Sequence, residues 1–214
     1  MNRALLAVVL MSLPAFGEGI DGLGRISIGG GYRWVPNWHF IYKANQAGTP
    51  FVEGLNGGPQ ATASFGLGVS SVIELSIDLL GSFETFKLAL IDGGTEEYTS
   101  AMYGAQLGGR LTGTDVFFKG FSPYLSLQGG PLLSNISSRT NPNSERVLLA
   151  LSASGGASYR FSPRYGIALD ARYVLARSVV PNISGINVGG VLFSAMFVLY
   201  FPSAAKRDLD VPGF

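Results

Sequence analysis

The sequence predicts an all-β protein: an eight-stranded, antiparallel, up-and-down transmembrane β-barrel preceded by a cleavable signal peptide. The 214-residue chain is 47% hydrophobic and only 14% charged, whereas soluble domains average about 25% charged residues. After an N-terminal export signal, no apolar run reaches the roughly 18 residues of a membrane-spanning helix. Apolar and polar residues instead alternate in eight segments. Since only helices and closed barrels satisfy every backbone polar group in lipid, a barrel is favoured.

The composition excludes several classes of function. A net charge of +1 gives no basic footprint for nucleic acid, so no nucleic-acid partner is expected. The absence of cysteine excludes disulfides and thiolate metal sites. With a single histidine, His39, a histidine-cluster metal site is excluded as well. We therefore expect neither a metal nor a cofactor.

Residues 1–17 have the features of a secretory signal peptide. Arg3 supplies the positive start, residues 4–13 form an apolar run, and Ala15 and Gly17 are small residues at a cleavage site. The alternative is a short membrane anchor, but the run is far shorter than the roughly 20 residues needed to span. The chain then divides into a signal peptide (1–17), a barrel (24–201) and a short periplasmic tail (202–214).

The alternation in the barrel is one-sided, because the face that we assign to lipid carries no charged residue in any segment. Selection would remove charged residues from a lipid-facing surface, since an Arg or Lys facing lipid at the bilayer centre costs roughly 2–4 kcal/mol. Ile26, Ile28 and Trp34, for example, alternate with Arg25 and Arg33 in the first segment. The segments span 25–34, 61–70, 73–84, 100–111, 124–128, 147–160, 167–175 and 190–201.

Long and short connections also alternate, as they do in outer-membrane-type barrels. The long ones are 36–59, 88–97, 137–146 and 178–186, and they are predicted to be extracellular loops, with both termini periplasmic. Aromatic residues lie near both ends of the strands, Phe83 and Phe86 among those at the loop end, which predicts two interfacial girdles. Pro131 does not fit, because proline cannot donate to a strand ladder. Either the fifth strand ends near Gly130 or a bulge lies there.

Two segments resemble a known family. Residues 159–173 look like the closing hairpin of small OmpA-type and OmpX-type outer-membrane barrels, and residues 189–201 end on Phe201, similar to the assembly signal of such barrels. The resemblance covers residues 24–201, and it implies outer-membrane lipid, lipopolysaccharide and the barrel assembly machinery as partners. The tail is too short for the peptidoglycan-binding domain of some members. Phe214 is an alternative terminal aromatic, although the residues before it do not alternate.

An eight-stranded barrel has an interior that side chains can just fill. Charged residues assigned to that interior predict a structural ion-pair network, since buried charges persist only when they are paired. A gated or narrow conductive path is the alternative. The predicted network consists of Arg25, Arg33, Glu74, Asp78, Glu84, Arg110, Arg160, Asp170 and Arg172.

Little in the sequence favours an enzyme. A histidine-dependent site would rest on His39, which has no nearby acidic partner before it, so no catalytic residue is assigned. The first function class is therefore a structural and surface-interaction protein, for envelope integrity or adhesion to an external partner through its loops. The second is a narrow pore or transporter of small or hydrophobic solutes, as in OmpW-type barrels, and a soluble secreted ligand-binding barrel is a third. The candidate contact residues of the first loop are Trp38, Phe40, Tyr42 and Phe51.

Overall fold

The structure, a computed structural model, describes residues 20–36, 42, 45–46, 51–53, 57–89, 94–138, 144–180 and 183–202. The predicted signal peptide and the tail beyond Pro202 lie outside the described residues. Among the described residues, no helix has the length and apolarity needed to span a membrane.

The described strands form one closed antiparallel barrel. The pairing runs from β1 through β3, β4, β5, β6, β7 and β8 to β10, and β10 pairs with β1 to close the wall. These eight wall strands confirm the predicted all-β, eight-stranded antiparallel barrel. The strands are β1 (Leu23–Trp34), β2 (Phe51–Glu53), β3 (Gly58–Gly68), β4 (Ile73–Ala89), β5 (Thr95–Thr112), β6 (Phe121–Ser138), β7 (Ser144–Arg160), β8 (Tyr165–Val180), β9 (Ile183–Asn187) and β10 (Gly190–Pro202).

The two ends of the barrel differ. At the turn end, where Leu23 and Pro202 lie, the connections 69–72, 113–120 and 161–164 are short. At the opposite loop end, the strands extend further than predicted. Within the predicted loop 88–97, residues 88–89 belong to β4 and residues 95–97 belong to β5.

Two short strands lengthen the wall at the loop end on either side of β1. Phe51 of β2 pairs with Leu88 of β4, and β9 pairs with β8. Breaks near Gly57 and Gly190 separate these short strands from β3 and β10. Both glycines have positive φ, 98° and 85°, where residues with a side chain are strained. A Cβ at either position would also meet a backbone carbonyl of β1.

Pro131 neither ends its strand nor produces a bulge. Residues 124–129 and 132–138 pair with β5 in one register on both sides of it, with Gly104 opposite Leu132 and Leu107 opposite Gly129. Its pairing with β7 is unbroken, and the Pro131 side chain is exposed on the outer surface. The missing N–H therefore interrupts the ladder locally without moving the register.

Side-chain directions match the predicted alternation. The apolar side chains of Leu75, Leu151, Leu169 and Phe197 are 48–66% exposed on the outside, whereas Asp78 is 0% exposed and faces the lumen. A water-soluble barrel with an apolar interior would show the reverse arrangement. The outer surface therefore carries a belt of large apolar side chains, as a lipid-facing barrel wall requires.

The lumen is divided into two halves. Charged and hydroxyl side chains fill most of the half near the turn end, beside a small apolar cluster of Ala168, Met196, Val198 and Tyr200. The half near the loop end holds a buried apolar cluster. Phe86, expected in the outer girdle, faces inward at 2% exposure and stacks on Tyr98 with ring centroids 5.3 Å apart. The cluster consists of Val35, Leu80, Phe86, Tyr98, Met102, Leu132, Ile136, Ala150, Val174, Ala176, Val188 and Leu192.

Candidate functional site

The candidate site is the interior of the barrel, and its polar half begins with Arg25 on β1. The guanidinium reaches across β3 to Glu74 on β4, with a shortest N–O distance of 2.8 Å. It also donates to the hydroxyls of Ser27 and Ser64 at 2.7 and 3.0 Å. Arg110 lies 3.6 Å from the same Glu74 carboxylate, so two cations share one anion.

A second set of charges crosses the lumen. Arg172 on β8 forms an ion pair with Asp78 on β4, and these strands lie on opposite sides of the barrel. Asp170 is 3.5 Å from Arg172, and Ser64 donates to Asp78. The ion pair between Arg172 and Asp78 therefore links opposite walls of the barrel. Backbone pairing links only neighbouring strands.

Tyr124 on β6 joins the two sets. Its hydroxyl donates to Asp170 at 2.9 Å, and the guanidinium of Arg110 lies 4.1 Å from its ring centroid in a cation–π contact. The contacts then form a closed cycle inside the barrel, which we call the charged ring. Its members are Arg25, Ser64, Glu74, Asp78, Arg110, Tyr124, Asp170 and Arg172.

Uncharged polar side chains fill further lumen positions and also connect strands that are not neighbours. The Gln128 amide donates to Ser76 at 2.8 Å, and Ser152 donates to Gln106 at the same distance. Several buried polar atoms among the described residues have no protein partner, which suits ordered water. These atoms include Gln60 Oε1, Ser82 Oγ, Gln106 Nε2, Gln128 Oε1, Ser134 Oγ and one terminal nitrogen of Arg172.

One ion pair lies within the apolar half. Arg33 is 0% exposed and pairs with Glu84, and it also donates to the carbonyl of Val188 at 2.9 Å. The backbone N–H of Gly57 faces the same Glu84 carboxylate. Gly57 and Val188 lie at the two strand breaks, so this pair holds both breaks against the end of β1.

Arg160 lies apart from the other predicted network residues. Its guanidinium is 4.9 Å from the ring centroid of Tyr200 at the mouth of the turn end, and no described carboxylate forms an ion pair with it. The cavity at this mouth is about 20 Å³, close to the size of one water molecule. The structure thus brings eight of the nine predicted charges into ion-pair contacts, in three groups, two of which Tyr124 and Ser64 join into the charged ring.

The loop candidates are placed only in part. Tyr42 is 61% exposed, and its hydroxyl accepts a hydrogen bond from Gln46 at 2.8 Å. Phe51 belongs to β2, so its backbone is part of the wall rather than of a loop. Trp38, Phe40 and His39 lie outside the described residues.

Sequence reasoning missed Tyr124 and Ser64 as members of the charged ring. The alternation had assigned Tyr124 to the interior, but nothing in a single sequence indicates which opposite wall a side chain reaches. No group of metal-binding side chains occurs in the part of the chain that the structure describes.

The sequence matches no protein-family model and no curated protein. Solved structures do resemble the fold. The outer membrane protein OprG from Pseudomonas aeruginosa aligns with a TM-score of 0.54 at 13% identity, over 87% of this chain and 99% of that one. Ail, the attachment invasion locus protein of Yersinia pestis, was solved with the heparin analogue sucrose octasulfate; it aligns at 0.49 and 14% identity, over 85% of this chain and 99% of its own. The similarity to OprG shows a shared small-barrel fold.

Proposed function

We propose that the protein is a bacterial outer-membrane barrel with a structural and surface-interaction role, whose lumen is closed by its own side chains. The observation that carries the proposal is the two-layer filling of the lumen. The charged ring closes the polar half, and the apolar cluster closes the half at the loop end. The outer belt of apolar side chains supports insertion in lipid.

The filling has a physical basis in the size of the barrel. Eight strands enclose a space that side chains occupy. Here Phe86, Met102, Leu132 and Leu192 are each at most 2% exposed, and all face inward at the loop end. A hydrophobic constriction of this kind excludes ions and water.

The proposed orientation places the turn end in the periplasm and the loop end outside. Outer-membrane lipid, lipopolysaccharide and an external partner of the loops are then the proposed partners. Phe201, the proposed assembly signal, lies at the closing seam. Its backbone pairs with Gly24, and its ring centroid is 6.3 Å from that of Phe65.

Fractionation of exporting cells, followed by planar-bilayer recordings on the purified protein, tests the proposal. We expect the protein in the outer-membrane fraction and no reproducible channel in the bilayer. Recovery as a soluble protein without detergent would contradict membrane insertion. Reproducible conductance would contradict the closed lumen and favour the alternative below.

The orientation has its own test, because the natural chain has no cysteine. Tyr42→Cys at the loop end should react with a membrane-impermeant maleimide on intact cells, and Lys119→Cys at the turn end should react only after lysis. The opposite labelling pattern would show that the orientation is the reverse of the one proposed.

The alternative function is a narrow path for small solutes. The buried polar atoms without protein partners favour it, since water could occupy the lumen beside them. Conduction would require the apolar cluster to open. The bilayer recording separates the two functions, and no enzymatic role is proposed.

A further inference from the structure

A groove lies at the rim of the turn end, between the connection 113–120 and the connection 161–164. Its volume is about 800 Å³. Hydrogen bonds fix one wall of the groove: Asp115 has a φ of 53°, and its carboxylate accepts from the N–H of Gly120. The carbonyl of Gly120 in turn accepts from the N–H of Arg160 at 2.8 Å. The lining is Asp115, Lys119, Gly120, Tyr159, Arg160, Phe161, Ser162 and Pro163.

Aromatic side chains place this groove at the level of a membrane interface. Phe117, Phe118 and Phe161 are 78%, 55% and 54% exposed. Phe118 also packs against Tyr159, with ring centroids 5.8 Å apart. Exposed aromatic side chains at the ends of barrel strands mark the level of the lipid headgroups. The molecules that meet the groove are therefore membrane lipids.

The charges of the groove select among lipids. Lys119 and Arg160 supply two cations, and neither forms an ion pair with a carboxylate among the described residues. Asp115 supplies one anion, and the N–H of Gly120 engages one of its two oxygens. Two cations beside one anion match a headgroup that carries a phosphate and a primary ammonium.

We propose that this groove binds the headgroup of phosphatidylethanolamine. The phosphate accepts hydrogen bonds from Lys119 and Arg160, and the ammonium donates to Asp115. A choline headgroup has no N–H to donate, and a glycerol headgroup has no cation for Asp115. The acyl chains then lie along the outer wall beside Phe118 and Phe161. This inference rests on the proposed insertion in a membrane.

Native mass spectrometry of the full barrel in detergent tests the proposal with phosphatidylethanolamine, phosphatidylcholine and phosphatidylglycerol of identical acyl chains. We expect the natural protein to retain phosphatidylethanolamine at least about threefold better than phosphatidylcholine, the ratio typical of one exposed charge pair. Asp115→Asn should remove this preference. It preserves the acceptor for Gly120, and asparagine tolerates a positive φ, so the turn should fold.

Lys119→Gln should weaken the retention of all three phospholipids by roughly threefold. Arg146→Gln, which removes an exposed arginine at the loop end, is the matched control and should change nothing. Equal retention of phosphatidylethanolamine and phosphatidylcholine by the natural protein would overturn the proposal. Retention by Asp115→Asn and Lys119→Gln equal to that of the natural protein would also overturn it. Membrane insertion is measured separately by cell fractionation, so its failure is distinguishable from a failure of headgroup selection.

Discussion

The two halves of the lumen are filled by side chains of different chemistry. In the polar half, charged side chains reach across the barrel and each has several partners, as Asp78 has Arg172 and Ser64. In the apolar half, side chains such as Leu132 and Val174 pack without polar partners, and a single ion pair is embedded among them. The stability of the polar half therefore depends on a network of ion pairs and hydrogen bonds. The stability of the apolar half depends on how completely its side chains fill the lumen. Single and paired substitutions should respond differently in the two halves.

The largest effect is expected from Asp78→Ala in the charged ring. It leaves Arg172 buried beside only Asp170 and removes the acceptor of Ser64, so we expect a loss of about 3–5 kcal/mol in unfolding free energy. Urea unfolding in lipid vesicles, followed by gel migration of unheated samples, measures this loss. Glu97→Ala, which removes an exposed carboxylate at the loop end, is the control and should stay within about 0.5 kcal/mol. Equal losses for the two variants would refute the structural role of the ring.

The next effect is expected from Leu132→Ala in the apolar half. Leu132 is 0% exposed, so the truncation leaves a cavity and should cost about 2–5 kcal/mol. The same unfolding assay measures the change. Leu127→Ala is the matched control, because Leu127 is 71% exposed on the outer wall and its removal leaves no cavity. A smaller loss for Leu132→Ala than for Leu127→Ala would show that the apolar cluster does not fill the lumen.

A smaller effect is expected from Tyr124→Phe. The change removes the hydrogen bond to Asp170 but keeps the ring beneath Arg110, so a loss of about 1.5–3 kcal/mol is expected for a bond to a charged acceptor. Tyr124→Leu removes the cation–π contact as well and should cost more. If the two variants are equally stable, Arg110 gains nothing from the ring of Tyr124.

The smallest effect is expected from replacing both members of the embedded ion pair. Arg33→Met alone leaves Glu84 buried without its cation and should cost about 3–5 kcal/mol, whereas Arg33→Met with Glu84→Leu should be close to neutral. The equivalent double change of Arg172 and Asp78 should remain costly, because Asp170 loses its only cation and the Ser64 hydroxyl loses its acceptor. Comparable rescue in both halves would contradict the distinction between a network and a packed volume.

The alternation allowed most of the barrel to be predicted, because a period of two determines which side of a strand each side chain occupies. Ile28 and Leu149 face outward and Arg110 faces inward, as the sequence indicated. The loop-end boundaries were predicted poorly, since residues 88–89 and 95–97 of the predicted loop continue the strands. Phe86 was placed in the girdle because its aromatic character outweighed its position in the alternation.

The sequence by itself determined the number of strands in the wall and the side of the wall on which each residue lies. Both follow from local geometry, since alternation and turn residues act over a few neighbours. Only the tertiary structure decided which inward residues touch. Closure of β10 onto β1 brings β8 opposite β4, so Arg172 meets Asp78, which lies 94 positions away in the chain. The tilt and stagger of strands in a closed barrel set such contacts, and no local pattern encodes them.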